Sequence, residues 1–351
     1  LYQQRLFWSS LFSIISFPIL ALAWFAILGL VRWYIKQRRS AEKALQSAKI
    51  QLEEANESLE FKVQERTMQL REANTQIIAL NDSLKDDNVR MKSELNVTRQ
   101  IQQKILPKKE ELLQIESLDI AGFMQPASEI GGDYYDIISS NGRVKIGIGD
   151  VTGHGLESGM LMLMAQTSIR TLLENNETDP QKFLNTLNQT IYHNVKRMES
   201  DKNMTLCLLD YENGRVRISG QHEEILIIRR GGMVQKIDTM ELGFPIGLEE
   251  EISHFVAYAD LQLLPGDVIV LYTDGITEAE NANGEFYGLK RLTQLAKDNW
   301  QKSAEEIKQA VIDDLWQYIG DRNLLDDITL VVLKQKSMPT VTDFANDLAL
   351  C

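Results

Sequence analysis

Carboxylates set against glycine recur in the last two thirds of the chain. Three instances are Gly131-Gly132-Asp133, Gly149-Asp150-Val151-Thr152-Gly153-His154-Gly155 and Tyr272-Thr273-Asp274-Gly275; a fourth acidic motif is Asp326-Asp327-Ile328-Thr329. Taken singly, an Asp-Gly pair reads as a turn, because Asp caps its own backbone and Gly accepts positive φ. The flanks argue for more. Apolar runs from Val144 and from Val268 lead into Asp150 and Asp274, which places both carboxylates at the C-terminal ends of buried strands. Asp326 opens the strand Ile328 to Leu333 from the opposite chain direction. In a layered fold such ends can converge on one cleft, where several carboxylates without Lys or Arg repel unless protonated or bound to cations. Oxygen-only donors of this kind favour Mg²⁺ or Mn²⁺. The four histidines, His154, His193, His222 and His254, show no ligand spacing, so a zinc site is not expected. Nor is a nucleophilic side chain evident. Ser158 lies in Gly155-Leu156-Glu157-Ser158-Gly159, which is not a nucleophile elbow, and Cys207 sits within an apolar run; both read as structural.

The elements that must position these residues follow from patterning. After Pro107, short β-rich runs are expected at 118–124, 133–138, 143–150, 204–210, 215–219, 225–230, 254–260, 267–273 and 328–334. Asn213-Gly214 and Gly231-Gly232 are hairpin signals between consecutive strands. Helices are expected at about 156–175, 180–198, 288–298 and 303–319. Hairpin strands with helices inserted in blocks indicate an α+β layered sandwich rather than a βαβ wheel.

The preceding residues have other tasks. Between Arg5 and Arg32 lie 26 residues without a charge, roughly 39 Å of helix at 1.5 Å per residue, enough to cross a bilayer. Residues 6–35 are therefore expected as a transmembrane helix, kinked at Pro18. Trp8, Trp33 and Tyr34 stand at the interfaces, and Arg32, Lys36, Arg38 and Arg39 place everything after residue 35 in the cytoplasm. From 40 to 106 a Pro-free, Gly-free polar stretch keeps one heptad. Leu45, Leu52 and Leu59 take d positions, Val63, Leu70, Ile77, Leu84 and Met91 take a, and Ala73, Leu80 and Ile101 continue d. Asn56, Arg66, Asp87 and Glu94 weaken the seam. Two copies anchored in one membrane would enter such a rod from the same end, hence a parallel homodimer. The chain opens on Leu1 rather than Met, and we expect a C-terminal piece of something longer. A net charge of −13, with 37 Lys and Arg against 50 Asp and Glu, argues against nucleic acid as a partner. Two cysteines, Cys207 and Cys351, exclude a disulfide framework.

The ordered elements SEIGGDYYD, GDVTGHG, GFPIGL, LPGDVIVLYTDGITEAENANGEFYG and DDITLVVL resemble the metal-dependent protein phosphatases of the PPM (protein phosphatase 2C-like) family. Within it they are most similar to the bacterial sporulation stage II E and RsbU type. The segment Arg99-Gln100-Ile101-Gln102-Gln103-Lys104-Ile105-Leu106-Pro107 is similar to the helix joining regulator to catalytic domain in that branch. The resemblance implies a protein-serine/threonine phosphatase at residues 107–336 with an αββα four-layer sandwich and two Mn²⁺ or Mg²⁺ ions between the sheets, on the cytoplasmic side of a bacterial inner membrane. Carried over by position, Asp150 would bridge both ions. Asp274 and Asp326 would complete one, and Asp133 with the main-chain carbonyl of Val151 would hold the other. A water between two cations then ionises near neutral pH and attacks phosphorus in line. The implied substrate is a phosphoserine or phosphothreonine on a STAS-type anti-sigma-factor antagonist.

Some positions depart from the family pattern. His154 lies further from Asp150 than the His of eukaryotic members and reads as shaping a turn. Asp136 reads as a solvated strand-end carboxylate, and no Arg within 128–136 clamps phosphate. Gln221-His222-Glu223-Glu224 replaces a Gly-His-Pro-Pro-like turn and is expected to touch no ligand. A diguanylate cyclase, from Gly131-Gly132-Asp133, leaves the later motifs unexplained, and a sensor kinase lacks a His on the rod. The remaining rival is a catalytically silent pseudophosphatase that binds a phosphoprotein. The tail 337–351 carries no reading.

Overall fold

The computed structural model describes residues 2–337 except 129 and 141, with side chains from Ser16 onward. Trp8 and the tail residues 338–351, Cys351 included, thus fall outside the described side chains. The chain divides into two compact units, 1–88 and 89–351.

The first unit is helical, part of α1 (Tyr2–Ile105), with Pro18 inside it. Among the described residues this is the one helix long and apolar enough to cross a membrane, and its apolar window is unburied. The heptad residues Leu45, Leu52, Leu59, Val63, Leu70, Ile77, Leu80 and Leu84 are all exposed in the single chain. The pairs Arg38–Glu42 and Lys49–Glu53 follow the i,i+4 spacing of exposed helices, worth a few tenths of a kcal/mol each.

The second unit begins with the last turns of α1 and the short α2 (Lys109–Leu113). Its strands are β1 (Leu118–Gln125), β2 (Tyr134–Ser140), β3 (Arg143–Val151), β4 (Met204–Glu212), β5 (Arg215–Gln221), β6 (Ile225–Ile228), β7 (Val234–Ile237), β8 (Tyr258–Gln262), β9 (Val268–Tyr272) and β10 (Ile328–Gln335). Between them run α3 (Leu156–Glu174), α4 (Pro180–Arg197), α5 (Asp274–Thr277), α6 (Leu289–Asp298) and α7 (Ala304–Ile319). Two antiparallel sheets result, ordered β1-β10-β9-β6-β7 and β2-β3-β4-β5-β8.

Strand alternation assigns the layers. Ile146 and Ile148 of β3, Ile269 and Leu271 of β9, and Val331 and Leu333 of β10 meet between the sheets. Their neighbours Val268, Val270, Leu330 and Val332 turn outward against Leu292, Ile307, Val311 and Leu315 of α6 and α7. On the other side Tyr134, Val151 and Leu206 face Leu161, Ile169, Leu187 and Ile191 of α3 and α4. This is the expected αββα sandwich.

Two local differences have physical causes. The Gly231-Gly232 turn leads into β7, a short half-exposed edge strand whose Val-Gln-Lys-Ile sequence carries little alternation, and the strand sought at 254–260 begins only at Tyr258, after a 3₁₀ turn at Ser253–Phe255. Asp136 is not solvated. It is buried, accepts two bonds from the Arg170 guanidinium at 3.0 Å each and one from Gln166 Nε2 at 3.2 Å. Burial pushes its pKa up, against the pull of Arg170.

Removing one partner of a buried pair costs roughly 3–5 kcal/mol. Because Arg170 is 47% exposed, screening lowers that figure. Arg170→Ala should therefore destabilise the second unit by about 2 kcal/mol, and adding Asp136→Asn should recover part of the loss. Urea unfolding of both variants checks this; a neutral Arg170→Ala would show the pair to be dispensable.

Candidate active site

Sheet register brings the carboxylates to one end of the sandwich. In one sheet Tyr134 pairs with Gly149, so Asp133 and Asp150 continue from neighbouring strands. In the other, Tyr272 pairs with Leu330 and Thr273 N donates to Thr329 O at 3.1 Å, bringing Asp274 and the 326–327 pair to the same end.

The two sheets are tied together there. The Asp133 carboxylate, 1% exposed, accepts from Thr273 Oγ1 at 2.9 Å and from Thr329 Oγ1 at 2.6 Å, both from the opposite sheet. Asp327, equally buried, accepts from Gly132 N at 2.6 Å through Oδ2 and from Ala127 N at 2.8 Å through Oδ1. Asp326 instead is exposed, and its Oδ1 accepts from Asp327 N at 2.8 Å. The adjacent aspartates thus do different things, one bracing the Gly-Gly-Asp loop and the other facing solvent.

Two glycines are required by closeness rather than by turn geometry. A Cβ on Gly132 would stand 2.9 Å from the Val151 carbonyl oxygen, and one on Gly275 would collide with the Asp327 carbonyl. Neither lies among the positive-φ residues. The Val151 carbonyl therefore approaches the loop that carries Asp133.

Burial and mutual repulsion shift the acids. Asp133 is pushed well above the ordinary carboxylate range by burial and then by Asp150. Asp150 is raised to about 8, by burial first and then by Asp274, Asp326 and Asp327. Burial, followed by Asp326 and Glu278, raises Asp274. No ion pair among the described residues joins any of them to Lys or Arg. No group of three or more His, Cys, Asp or Glu among the described residues is arranged as a ready metal cage. The chemistry of the donor set still fits Mg²⁺ or Mn²⁺, which retain waters and take few carboxylates each. A cation removes the repulsion that otherwise keeps protons on these groups.

Several contributors escaped the sequence reading. Gln102, 2% exposed on the last turns of α1, grips Gly131 from both sides: its Nε2 donates to Gly131 O at 2.8 Å and its Oε1 accepts from Gly131 N at 3.2 Å. Ile105 O accepts from Gln166 Nε2 at 3.2 Å, the same amide that meets Asp136. In the 221–224 segment, half-buried Glu223 is raised by burial and then by the charge of Asp274. The ring of part-buried His222 is desolvated, which lowers its pKa to about 4, its Nδ1 lying 2.8 Å from Thr205 Oγ1, which in turn donates to Asp150 O at 3.4 Å. His154 is exposed on the turn before α3. Ser158 is buried and donates to Thr152 O, while burial raises the Cys207 thiol to about 12; neither is a nucleophile here.

Comparison with known proteins agrees with this architecture. The profile of Stage II sporulation protein E (SpoIIE) matches residues 140–336. The chain is 28% identical over 250 residues to phosphoserine phosphatase RsbU of Bacillus subtilis (strain 168), covering 70% of this chain and 71% of that protein. The SiaA-PP2C domain of Pseudomonas aeruginosa superposes with a TM-score of 0.62 at 21% identity, over 70% of this chain and 98% of that one. The RsbU and RsbW domains of a Mycobacterium tuberculosis protein give 0.52 at 20% identity, over 67% of each chain. The fold is that of the PP2C phosphatases.

The raised carboxylates make a pH prediction. Asp150 takes up a proton near pH 8 in the folded chain but near its ordinary 3.8 in the unfolded one. Between those values the folded state binds more protons, so stability without metal falls as pH rises and levels off above about 8. Thermal melts of a fragment beginning at Val89 in EDTA should drop by several degrees from pH 5 to pH 8. The slope should flatten in Asp150→Asn; identical slopes in both proteins would exclude Asp150 as the source.

Proposed function

The chain belongs to the Stage II sporulation protein E family, and from that membership we propose that it is a membrane-anchored, metal-dependent protein-serine/threonine phosphatase. The observation that carries the reading is the cleft, where acids from both sheets meet with no Lys or Arg among the described residues paired to them. Asp150 would be shared by two Mn²⁺ or Mg²⁺ ions, with Asp133 and the Val151 carbonyl on one and Asp274 and Asp326 on the other. When bound, the ions supply acidification of water and neutralisation of phosphate charge.

The chain's own residues do the rest. Thr273 and Thr329 hold Asp133 in one orientation, and Asp327 fixes the backbone of the Gly-Gly-Asp loop that carries it. Exposed Asp326 lies on the side open to a protein substrate. The substrate in this reading is a phosphorylated STAS-type anti-sigma-factor antagonist, and likeness to phosphoserine phosphatase RsbU supports its phosphoserine part.

Residues 6–35 anchor the chain in a bacterial inner membrane with 107–336 as the cytoplasmic catalytic domain; the unburied apolar window of α1 and the basic residues after it support this. Residues 40–106 pair as a parallel homodimer, which would cover the exposed heptad stripe. Changes in the rod then reach the site through Gln102 and its grip on Gly131.

Phosphate release from a phosphoserine peptide should require Mn²⁺ or Mg²⁺ and stop in EDTA. Asp274→Ala should lower it by more than roughly a hundredfold, beyond the cost of losing a supporting partner. A wild-type chain that binds no Mn²⁺ would overturn the metal assignment. Inserting three residues after Asp87 shifts the heptad phase of everything downstream, and we expect altered turnover with unchanged Mn²⁺ affinity. Identical turnover would remove the rod from regulation.

A further inference from the structure

A cavity of about 380 Å³ opens beside the carboxylate cleft, sharing Gly275, Glu278 and Asp326 with its border. One wall is the segment Glu280 to Phe286 and the other is the loop from Arg322 to Leu325, with Ala279 and Ile319 buried at its base. Phe286 and Leu325 line it while 60% and 65% exposed. Singly exposed apolar residues need no explanation, but two that line one concave site do.

Phe286 is exposed without being loosely held. Tyr318 Oη donates to the carbonyls of Glu285 at 3.1 Å and Phe286 at 3.0 Å, and the segment closes on itself through a Glu280–Phe286 bridge. Tyr287 N donates to Ala279 O and Gly288 N to Thr277 O, both at 2.8 Å, which joins the wall to α5 and hence to Asp274. A rigid backbone presenting an uncovered aromatic ring is pre-organised for contact.

The one cation in the described lining is already paired. Arg322 Nη1 donates to Glu280 Oε2 at 2.5 Å and to Asn281 O at 2.9 Å, so that among the described lining residues there is no unpaired cation to draw an acidic group. Glu278 and Asp326 lie at the end shared with the cleft. Away from that acidic end and the Arg322–Glu280 pair, the lining is Asn323 and apolar side chains, with Phe286, Leu324 and Leu325 at its walls.

We propose that this cavity is a specificity subsite of the phosphatase, receiving an apolar side chain that flanks the phosphorylated residue of the protein substrate. The inference rests on the phosphatase reading above and adds a sequence preference to it. Leucine-sized side chains fit between Phe286 and Leu325, while a carboxylate there meets Glu278, Glu280 and Asp326 and is disfavoured.

The test uses the full chain in detergent with Mn²⁺ and a phosphoserine nonapeptide set in which Leu, Lys or Glu is scanned through the three positions on each side of the phosphoserine. p-Nitrophenyl phosphate, which has no flanking residue, is assayed in parallel. At one position, Leu should exceed Glu in kcat/KM by about tenfold, a typical worth for one side chain in an apolar pocket, and the difference should lie mainly in KM. Phe286→Ala and Leu325→Ala should each shrink that ratio to within about twofold while p-nitrophenyl phosphate turnover is retained. Leu325→Lys should turn the preference toward Glu. No position favouring Leu in the wild type, or a preference that survives both alanine variants, overturns the subsite. Failure to hydrolyse any peptide and p-nitrophenyl phosphate alike would instead overturn the phosphatase reading itself.

Discussion

The Asp133 carboxylate, buried and held by two threonine hydroxyls from the facing sheet, is the interaction on which the cleft depends. Sheets in a sandwich are joined mainly by apolar contact, which is strong but not directional. Hydrogen bonds to a carboxylate are directional and worth roughly 1.5–3 kcal/mol each. They fix how the β2–β3 end of one sheet meets the β9–β10 end of the other. Those ends carry Asp150, Asp274 and Asp326, so their mutual distances follow from this clasp. The same closeness raises Asp150 and Asp274, because the fold forces like charges together and removes water from them.

A second tier of contacts keeps the Gly-Gly-Asp loop where the clasp needs it. Asp327 takes the amides of Gly132 and Ala127, and Gln102 takes both the amide and the carbonyl of Gly131. The absence of side chains on Gly132 and Gly275 lets backbone segments approach closely. Each contact is ordinary, yet together they account for every polar group that the loop presents at Gly131 and Gly132 except the Gly132 carbonyl. Asp136, Gln166 and Ile105 form a parallel path from the same helix end into α3.

Much of this was legible in the sequence. The unbroken apolar run from Val268 to Tyr272 specifies a strand buried on both faces, and Asn213-Gly214 specifies the turn between β4 and β5, where both residues adopt positive φ. The ordered motifs identified the fold. What escaped depends on partners distant in sequence. Asp136 looks like any strand-end acid until Arg170, 34 positions later, closes on it. Asp327 is indistinguishable from Asp326 until the loop at Gly132 arrives 195 positions away. Gly132 and Gly275 resemble turn residues, and only the assembled sheets reveal that closeness selects them. The Gln102 grip had no local signal, since a Gln on a polar helix is ordinarily solvated.

That grip has the energy scale of a switch. Two hydrogen bonds to the backbone of one residue contribute about 1 kcal/mol each net, and they lie at the boundary between helix and catalytic sandwich. A shift of about 2 kcal/mol changes a two-state population some thirtyfold, whereas the buried core on either side is far too costly to disturb. A rotation or register change in the rod that withdraws Gln102 would free Gly131 while leaving the threonine clasp on Asp133 and the Asp327 brace on Gly132 in place. The acidic cleft would keep its ligands and lose the definition of one loop. Regulation by the proposed route would act on geometry rather than on the presence of the site.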